Sequence, residues 1–164
     1  MKRVDQRPGY RNGFTLIELL ITLAILGLLA TLVLPVSRTI IQRDHEQHLR
    51  HDLREIRNAI DGYKKAYDDG RFPKSVGESG YPKNLQVLVD GVVDQIDPKH
   101  KKIFFLRRIP RDPMNPDITQ TPDETWGKRC FDSEADEPSE GSDVFDVYSK
   151  SQGIGLNGAP YDKW

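Results

Sequence analysis

The residues whose types and spacing could do chemistry begin near the start of the chain, at Gly13-Phe14-Thr15-Leu16-Ile17-Glu18. Glu18 is the only charged residue across residues 14–34, a run made otherwise mostly of leucine, isoleucine, alanine and valine. A carboxylate inside an apolar helix costs about 2.5–3.5 kcal/mol on membrane-insertion scales, so it needs a partner or a task. If the peptide bond after Gly13 is cut, Phe14 gains an α-ammonium. Glu18, about one helical turn further on, then lies at a similar depth and can pair with its own amine or with that of a neighbouring copy. Ion pairing within an apolar layer is the chemistry this stretch points to.

The elements that must position these groups follow from the pattern around them. At about 1.5 Å per residue, the apolar run is about 30 Å long as a helix, enough to cross a bilayer core. Before it, Lys2, Arg3, Arg7 and Arg11 stand against Asp5 alone, and such an excess of positive charge holds that end in the cytoplasm. An ordinary secretory signal would need a small-residue cleavage site after a shorter apolar core. None stands out, because the chain continues as Pro35-Val36-Ser37-Arg38. An uncleaved anchor is the other alternative. Gly27 and Pro35 weaken the helix locally, though membrane helices tolerate both residue types.

Past residue 36 the helical period continues while the polarity changes. Leu49, Leu53, Ile56, Ile60, Tyr63 and Tyr67 recur at steps of four and three, and Arg50, Asp52, Arg54, Glu55 and Arg57 fill the other faces. The pattern predicts one helix that ends near Asp68-Asp69-Gly70, with Gly70 as C-cap and the stripe lying on a sheet. A coiled coil competes, but the stripe lasts only about three heptads. His45, His48 and His51 share this helix, with Asp44 four residues before His48. Their polar surroundings make them a solvated face.

Gly13-Phe14-Thr15-Leu16-Ile17-Glu18-Leu19-Leu20 after a short basic leader resembles the class III signal of type IV pilins and type II secretion pseudopilins. The resemblance implies that a prepilin peptidase cuts after Gly13 and N-methylates Phe14, and that Glu18 is the assembly glutamate. It also implies that the segment bearing Gly27 and Pro35 can melt in an assembled filament.

Composition sets the outer bounds. The 164 residues suit one domain plus an anchor. The net charge is −1 and, without the basic leader, falls to near −4, which argues against nucleic-acid binding. The single cysteine, Cys130, excludes an intrachain disulfide and a cysteine-based metal site, and reads as a small core residue beside Phe131.

The head pattern is looser. Residues 71–82 read as a loop. Leu85, Leu88, Val89 and Val92 predict a short helix from near Pro82 to residues 91–94. Lys99-His100-Lys101-Lys102 is a basic turn. Strands are predicted over 103–109, 126–131 and 143–149, with an irregular proline-rich loop over 111–123 and an exposed acidic connection over 132–142.

The C-terminal part carries a second resemblance. Ile109-Pro110-Arg111-Asp112-Pro113, Trp126-Gly127-Lys128-Arg129 and Asp143-Val144-Phe145-Asp146-Val147-Tyr148-Ser149 are similar to the major pseudopilin pattern. Here residues 114–125 separate the Asp-Pro and Trp-Gly elements, which are adjacent in the usual pattern. The resemblance implies a calcium ion in the C-terminal loop. Asp143, Asp146, Ser149, Asn157 and Asp162 are the candidate ligands, since calcium takes six to eight oxygens. The usual acidic end of that loop is replaced by residues 155–160. Without calcium, the tail would be pinned by Tyr161 and Trp164 packing on the sheet.

The expected fold is α+β and type IV pilin-like, a lollipop whose long N-terminal helix packs on a small antiparallel sheet. Its expected divisions are a leader at 1–13, a transmembrane assembly segment at 14–36, an amphipathic half-helix at 37–69 and a periplasmic head at 70–164. The expected function is that of a pseudopilin, a structural subunit of a type II secretion filament, anchored by a single pass in the bacterial inner membrane. Its implied partners are further copies of itself, other pseudopilins, the prepilin peptidase and an inner-membrane platform protein served by an assembly ATPase. A type IV pilus subunit and a minor tip pseudopilin are the alternatives. A membrane-anchored hydrolase using the acids of residues 132–146 is the remote one.

Overall fold

The computed structural model describes residues 13–74 and 77–164, and within the long helix it leaves out the side chains of residues 32–38. The leader charges at 2, 3, 5, 7 and 11 and the Pro35 side chain lie outside the described residues. The chain divides into two compact units, Met1–Ile41 and Gln42–Trp164. The fold is α+β, with a long N-terminal helix and small antiparallel sheets, as the sequence predicts.

Helix α1 covers Leu16–Asp68. Its start follows from local chemistry: Thr15 is placed as N-cap, and its Oγ1 accepts the Glu18 amide at 3.3 Å. Its end is a Schellman turn. The Arg71 amide donates to the Ala66 carbonyl at 3.0 Å, and the Gly70 amide donates to that of Tyr67 at 3.0 Å. Gly70 has a φ of 74°, a left-handed conformation that glycine adopts without steric cost.

In the first unit the described large apolar side chains of the helix lie on every face and are all exposed, from 79% at Leu16 to 52% at Ile25. Among the described residues, no helix is long and apolar enough to cross a membrane. The described side chains of this run stop at Thr31.

The second unit is built on the predicted stripe. Leu49, Leu53, Ile56 and Ile60 are fully buried, in one core with Leu85, Leu88, Leu106, Trp126, Val144, Val147 and Tyr161. Tyr63 packs against that core, and Tyr67 forms a smaller cluster with Ala66 and Phe72.

Helix α2, Gln86–Asp90, is shorter than the predicted segment, and Val92 belongs to a strand instead. Gly91 ends it with a φ of 72°. Strands β1, Val92–Val93, and β2, Lys102–Ile103, pair antiparallel, with Val92 opposite Ile103. The strand predicted over 103–109 therefore reduces to its first residue. Beyond Ile103 the ladder has no partner, because the chain before β1 is already helix. The amides of Phe105 and Leu106 turn instead to the Leu88 carbonyl, at 3.1 and 3.0 Å.

Residues 122–125 form a helical turn, α3, Pro122–Thr125, closed by a capping box between Thr121 and Glu124. Strands β3, Trp126–Arg129, and β4, Asp146–Ser149, pair antiparallel as a separate two-stranded sheet. Both are shorter than predicted. The Cys130 amide donates to Ser139, and the Phe131 amide donates to the Asp143 carboxylate, so the backbone is given over to the 132–142 connection. Cys130 is half-buried and Phe131 is 53% exposed, so this pair lies at the rim, not in the core. The tail ends in a 3₁₀ turn, Tyr161–Lys163, with Tyr161 buried and its ring 5.1 Å from that of Trp164.

Candidate functional site

The segment on which processing and assembly are expected is an open one. Gly13 and Glu18 are exposed, and Phe14 is 81% exposed. Glu18 occupies the third position of α1, in the first turn, where the free amides and the helix dipole favour an acid. The Gly13–Phe14 bond lies just ahead of the helix, in residues without regular structure. The helix passes through both Gly27 and Pro35.

The head motifs converge on a buried polar centre that the sequence reading did not assign. Asp112 is 1% exposed. Its Oδ2 accepts the Ser149 hydroxyl at 2.6 Å, and its Oδ1 accepts the Met114 amide at 2.8 Å. Its own amide donates to Thr125 Oγ1 at 3.1 Å. Trp126, fully buried, donates its indole N–H to the Pro110 carbonyl at 2.8 Å. The Pro-x-Asp-Pro turn, the Trp-Gly strand and the strand ending in Ser149 thus meet at one point. The inserted residues 114–125 leave and return within it, held by Arg111 on the carbonyls of Asp117 and Gln120. The glycine of Trp-Gly is needed for space, since a Cβ on Gly127 would lie 2.3 Å from the Tyr148 ring.

Burial pushes the Asp112 carboxyl above the ordinary carboxylate range, and the hydrogen bonds from Ser149 and Met114 oppose that shift. A raised value means that the folded chain holds this proton more tightly than the unfolded one. The contribution of Asp112 to stability is greatest at low pH and declines as pH rises from about 4 through the raised value. Asp112→Ala would leave a buried hydroxyl and amide unpaired and is expected to cost about 2–4 kcal/mol. Asp112→Asn should cost less, and its deficit relative to the parent should shrink as pH rises. Urea melts of the three proteins at pH 4 and pH 7 check both statements.

A second polar centre ties the helix to the tail. Glu46, 6% exposed, accepts at Oε1 from the Leu156 amide at 2.8 Å, the Tyr161 hydroxyl at 3.0 Å and Gln42 at 3.1 Å. Its signal was present in the sequence: Gln42 and Glu46 continue the steps of four and three that run through Leu49, so they are polar residues on the buried line. Arg57 is the third device. It stands off the apolar stripe in the sequence, yet its guanidinium reaches Asp146 at 2.7 Å, the Val147 carbonyl at 3.0 Å and the Trp164 main-chain oxygen at 2.8 Å.

The candidate calcium ligands are not brought together. Asp143 accepts the Phe131 amide at 2.9 Å and the Ser79 hydroxyl. Asp146 is paired with Arg57 and, at 3.5 Å, with Arg129. The Ser149 hydroxyl is given to Asp112, and Asn157 is exposed in a turn with Ala159. Only Asp162 keeps a buried oxygen, Oδ1, with no hydrogen-bond partner. This donor set does not fit a calcium cage, because its central carboxylate already carries two guanidinium groups. Of the acids considered for a hydrolase, Asp143 and Asp146 are held by other partners, and Asp132, Glu134, Asp136, Glu137 and Glu140 are exposed. Of the helix histidines, His48 faces Asp44 at 3.7 Å and His51 faces Glu55 at 3.8 Å, all on solvated surface.

Comparison with known proteins adds to this description. Residues 9–34 match the family model for the prokaryotic N-terminal methylation motif. The chain is similar to type II secretion system core protein G of Pectobacterium carotovorum subsp. carotovorum, 34% identical over 113 residues, which cover 68% of this chain and 67% of that protein. It is similar to that of Klebsiella pneumoniae, 33% identical over 111 residues, covering 65% and 71%. It is also similar to that of Klebsiella michiganensis, 31% identical over 120 residues, covering 71% and 74%. No solved structure matches the chain. With a methylation motif at its start and this extent of likeness across most of its length, the chain belongs to the type II secretion system core protein G family.

Proposed function

We propose that the chain is the major pseudopilin of a type II secretion system, a structural subunit that polymerises through its N-terminal helix. The observation that carries this reading is the methylation motif, which spans the Gly13–Phe14 bond and Glu18, joined to a head similar to core protein G. Residues 1–13 are the leader, residues 14–36 the membrane and assembly segment, residues 37–69 the amphipathic half-helix and residues 70–164 the head. The anchor waits as a single pass in the bacterial inner membrane with the head in the periplasm. A prepilin peptidase exposes and methylates the Phe14 amine, and a platform protein with its ATPase draws the subunit into the filament.

The physical logic is a charge that finds its partner only on docking. A contact between two different patches of identical subunits that does not close on itself generates a helical fibre. Misregistered copies leave Glu18 unpaired in an apolar bundle, which is costly, so the ion pair sets the register.

Mass spectrometry of the protein from cells with an active prepilin peptidase tests this directly. The expected mature chain begins at methylated Phe14. Gly13→Ala should retain the leader in most molecules; efficient trimming of that variant would refute the cleavage assignment.

A further inference from the structure

The C-terminal loop is closed by a cation that the chain supplies itself. We propose that the Arg57 guanidinium is the resident cation of this loop, and that the head folds without calcium. The argument starts from what a calcium ion does in a loop: it gathers carboxylate and carbonyl oxygens from separate segments around one positive centre. Arg57 does the same. Its Nε donates to Asp146 Oδ1 at 2.7 Å, and its Nη2 donates to the Val147 carbonyl at 3.0 Å and to the Trp164 main-chain oxygen at 2.8 Å. One carboxylate and two main-chain oxygens, from β4 and from the tail, thus converge on one planar fork.

Guanidinium suits this task because it stays charged at any physiological pH and holds several donors in fixed directions. The pair is sheltered, with the Arg57 side chain 35% and that of Asp146 29% exposed. Arg129 reinforces it from β3, at 3.5 Å from the other Asp146 oxygen. A divalent ion entering here would meet two fixed positive groups and lose its best carboxylate to them. Asp162 lines the same cleft as Arg57, Arg129 and Asp146 and keeps one free buried oxygen, but a single oxygen cannot supply six to eight contacts.

The inference is independent of the filament reading, since it concerns how the head is closed. The test is thermal unfolding of the full mature chain in detergent, for the parent and Arg57→Met, each in millimolar calcium chloride and in excess chelator. Methionine keeps an unbranched apolar stem and removes the charge. The parent should melt at the same temperature in both solutions. Arg57→Met should melt about 5 °C or more lower in chelator, with Arg57→Lys in between. A parent melting point raised by calcium and lowered by chelator would overturn the proposal. So would an Arg57→Met protein that melts like the parent in chelator. The comparison on the parent alone decides the matter if the variant does not fold.

Discussion

Glu18→Ala is expected to yield a subunit that is cleaved, methylated and inserted, yet assembles at least about tenfold less filament than the parent. The change leaves Gly13 and Phe14 untouched, and both lie outside α1 in an exposed segment, so the peptidase's substrate is preserved. What disappears is the only charge in the apolar run. In the assembled state the Phe14 ammonium of a docking copy would then sit in an apolar bundle without a counter-charge. Removing one partner of a buried pair costs about 3–5 kcal/mol, and each 1.4 kcal/mol is a tenfold change in an equilibrium constant. Sedimentation of sheared filaments gives the yield, and intact mass confirms processing. A normal filament yield from processed Glu18→Ala subunits would show that packing of the apolar faces alone sets the register.

Trp126→Ala should be the most damaging single change in the head. The indole is fully buried at the centre of the core and also holds the Pro110 carbonyl. Truncating a buried tryptophan costs about 3–5 kcal/mol through lost burial and the cavity left behind. Domains of this size have about 5–15 kcal/mol in total, so the variant should be partly unfolded at 37 °C. Trp126→Phe separates the contributions, since it keeps much of the apolar volume and loses the hydrogen bond, and should cost about 1–2 kcal/mol. The remaining tryptophan, Trp164, reports unfolding by fluorescence in both variants. A midpoint in urea within 0.3 M of the parent for Trp126→Ala, read against a slope of about 1–3 kcal/mol per molar, would place the core's support elsewhere.

What was legible in the sequence was whatever repeats or stands against its surroundings. Leu49, Leu53, Ile56 and Ile60 gave the buried face of α1 because their spacing matches the helical period. Gly70 gave its end because the Schellman turn needs a left-handed residue there. Glu18 stood out as one charge in an apolar field. Strands β2, β3 and β4 were legible in place but not in length, and β1 was hidden in a segment that reads as helix. Composition marks β-formers over 103–109, but strand length depends on a paired neighbour, and α2 occupies the chain that would have provided it.

The polar centres were hidden for a related reason. Asp112, Thr125 and Ser149 are scattered in sequence and join only in three dimensions. Arg57 looked like its charged neighbours on α1, because nothing local shows that Asp146 and Trp164 will reach it. The calcium set failed on the same point. Its oxygens were counted as available, and whether an arginine already holds them is a tertiary fact.

The grip of Gln42, Glu46 and Arg57 on residues 146–164 also bears on folding during synthesis. These contacts join positions 89 to 119 apart along the chain. Such distant closures are paid for in entropy before they stabilise anything, and they slow folding. The first part of the head to leave the ribosome must wait for the last. Until the final segment is made, Gln42, Glu46 and Arg57 lack the partners that complete their side of the helix, although Leu85, Leu88, Leu106 and Trp126 already cover its apolar stripe.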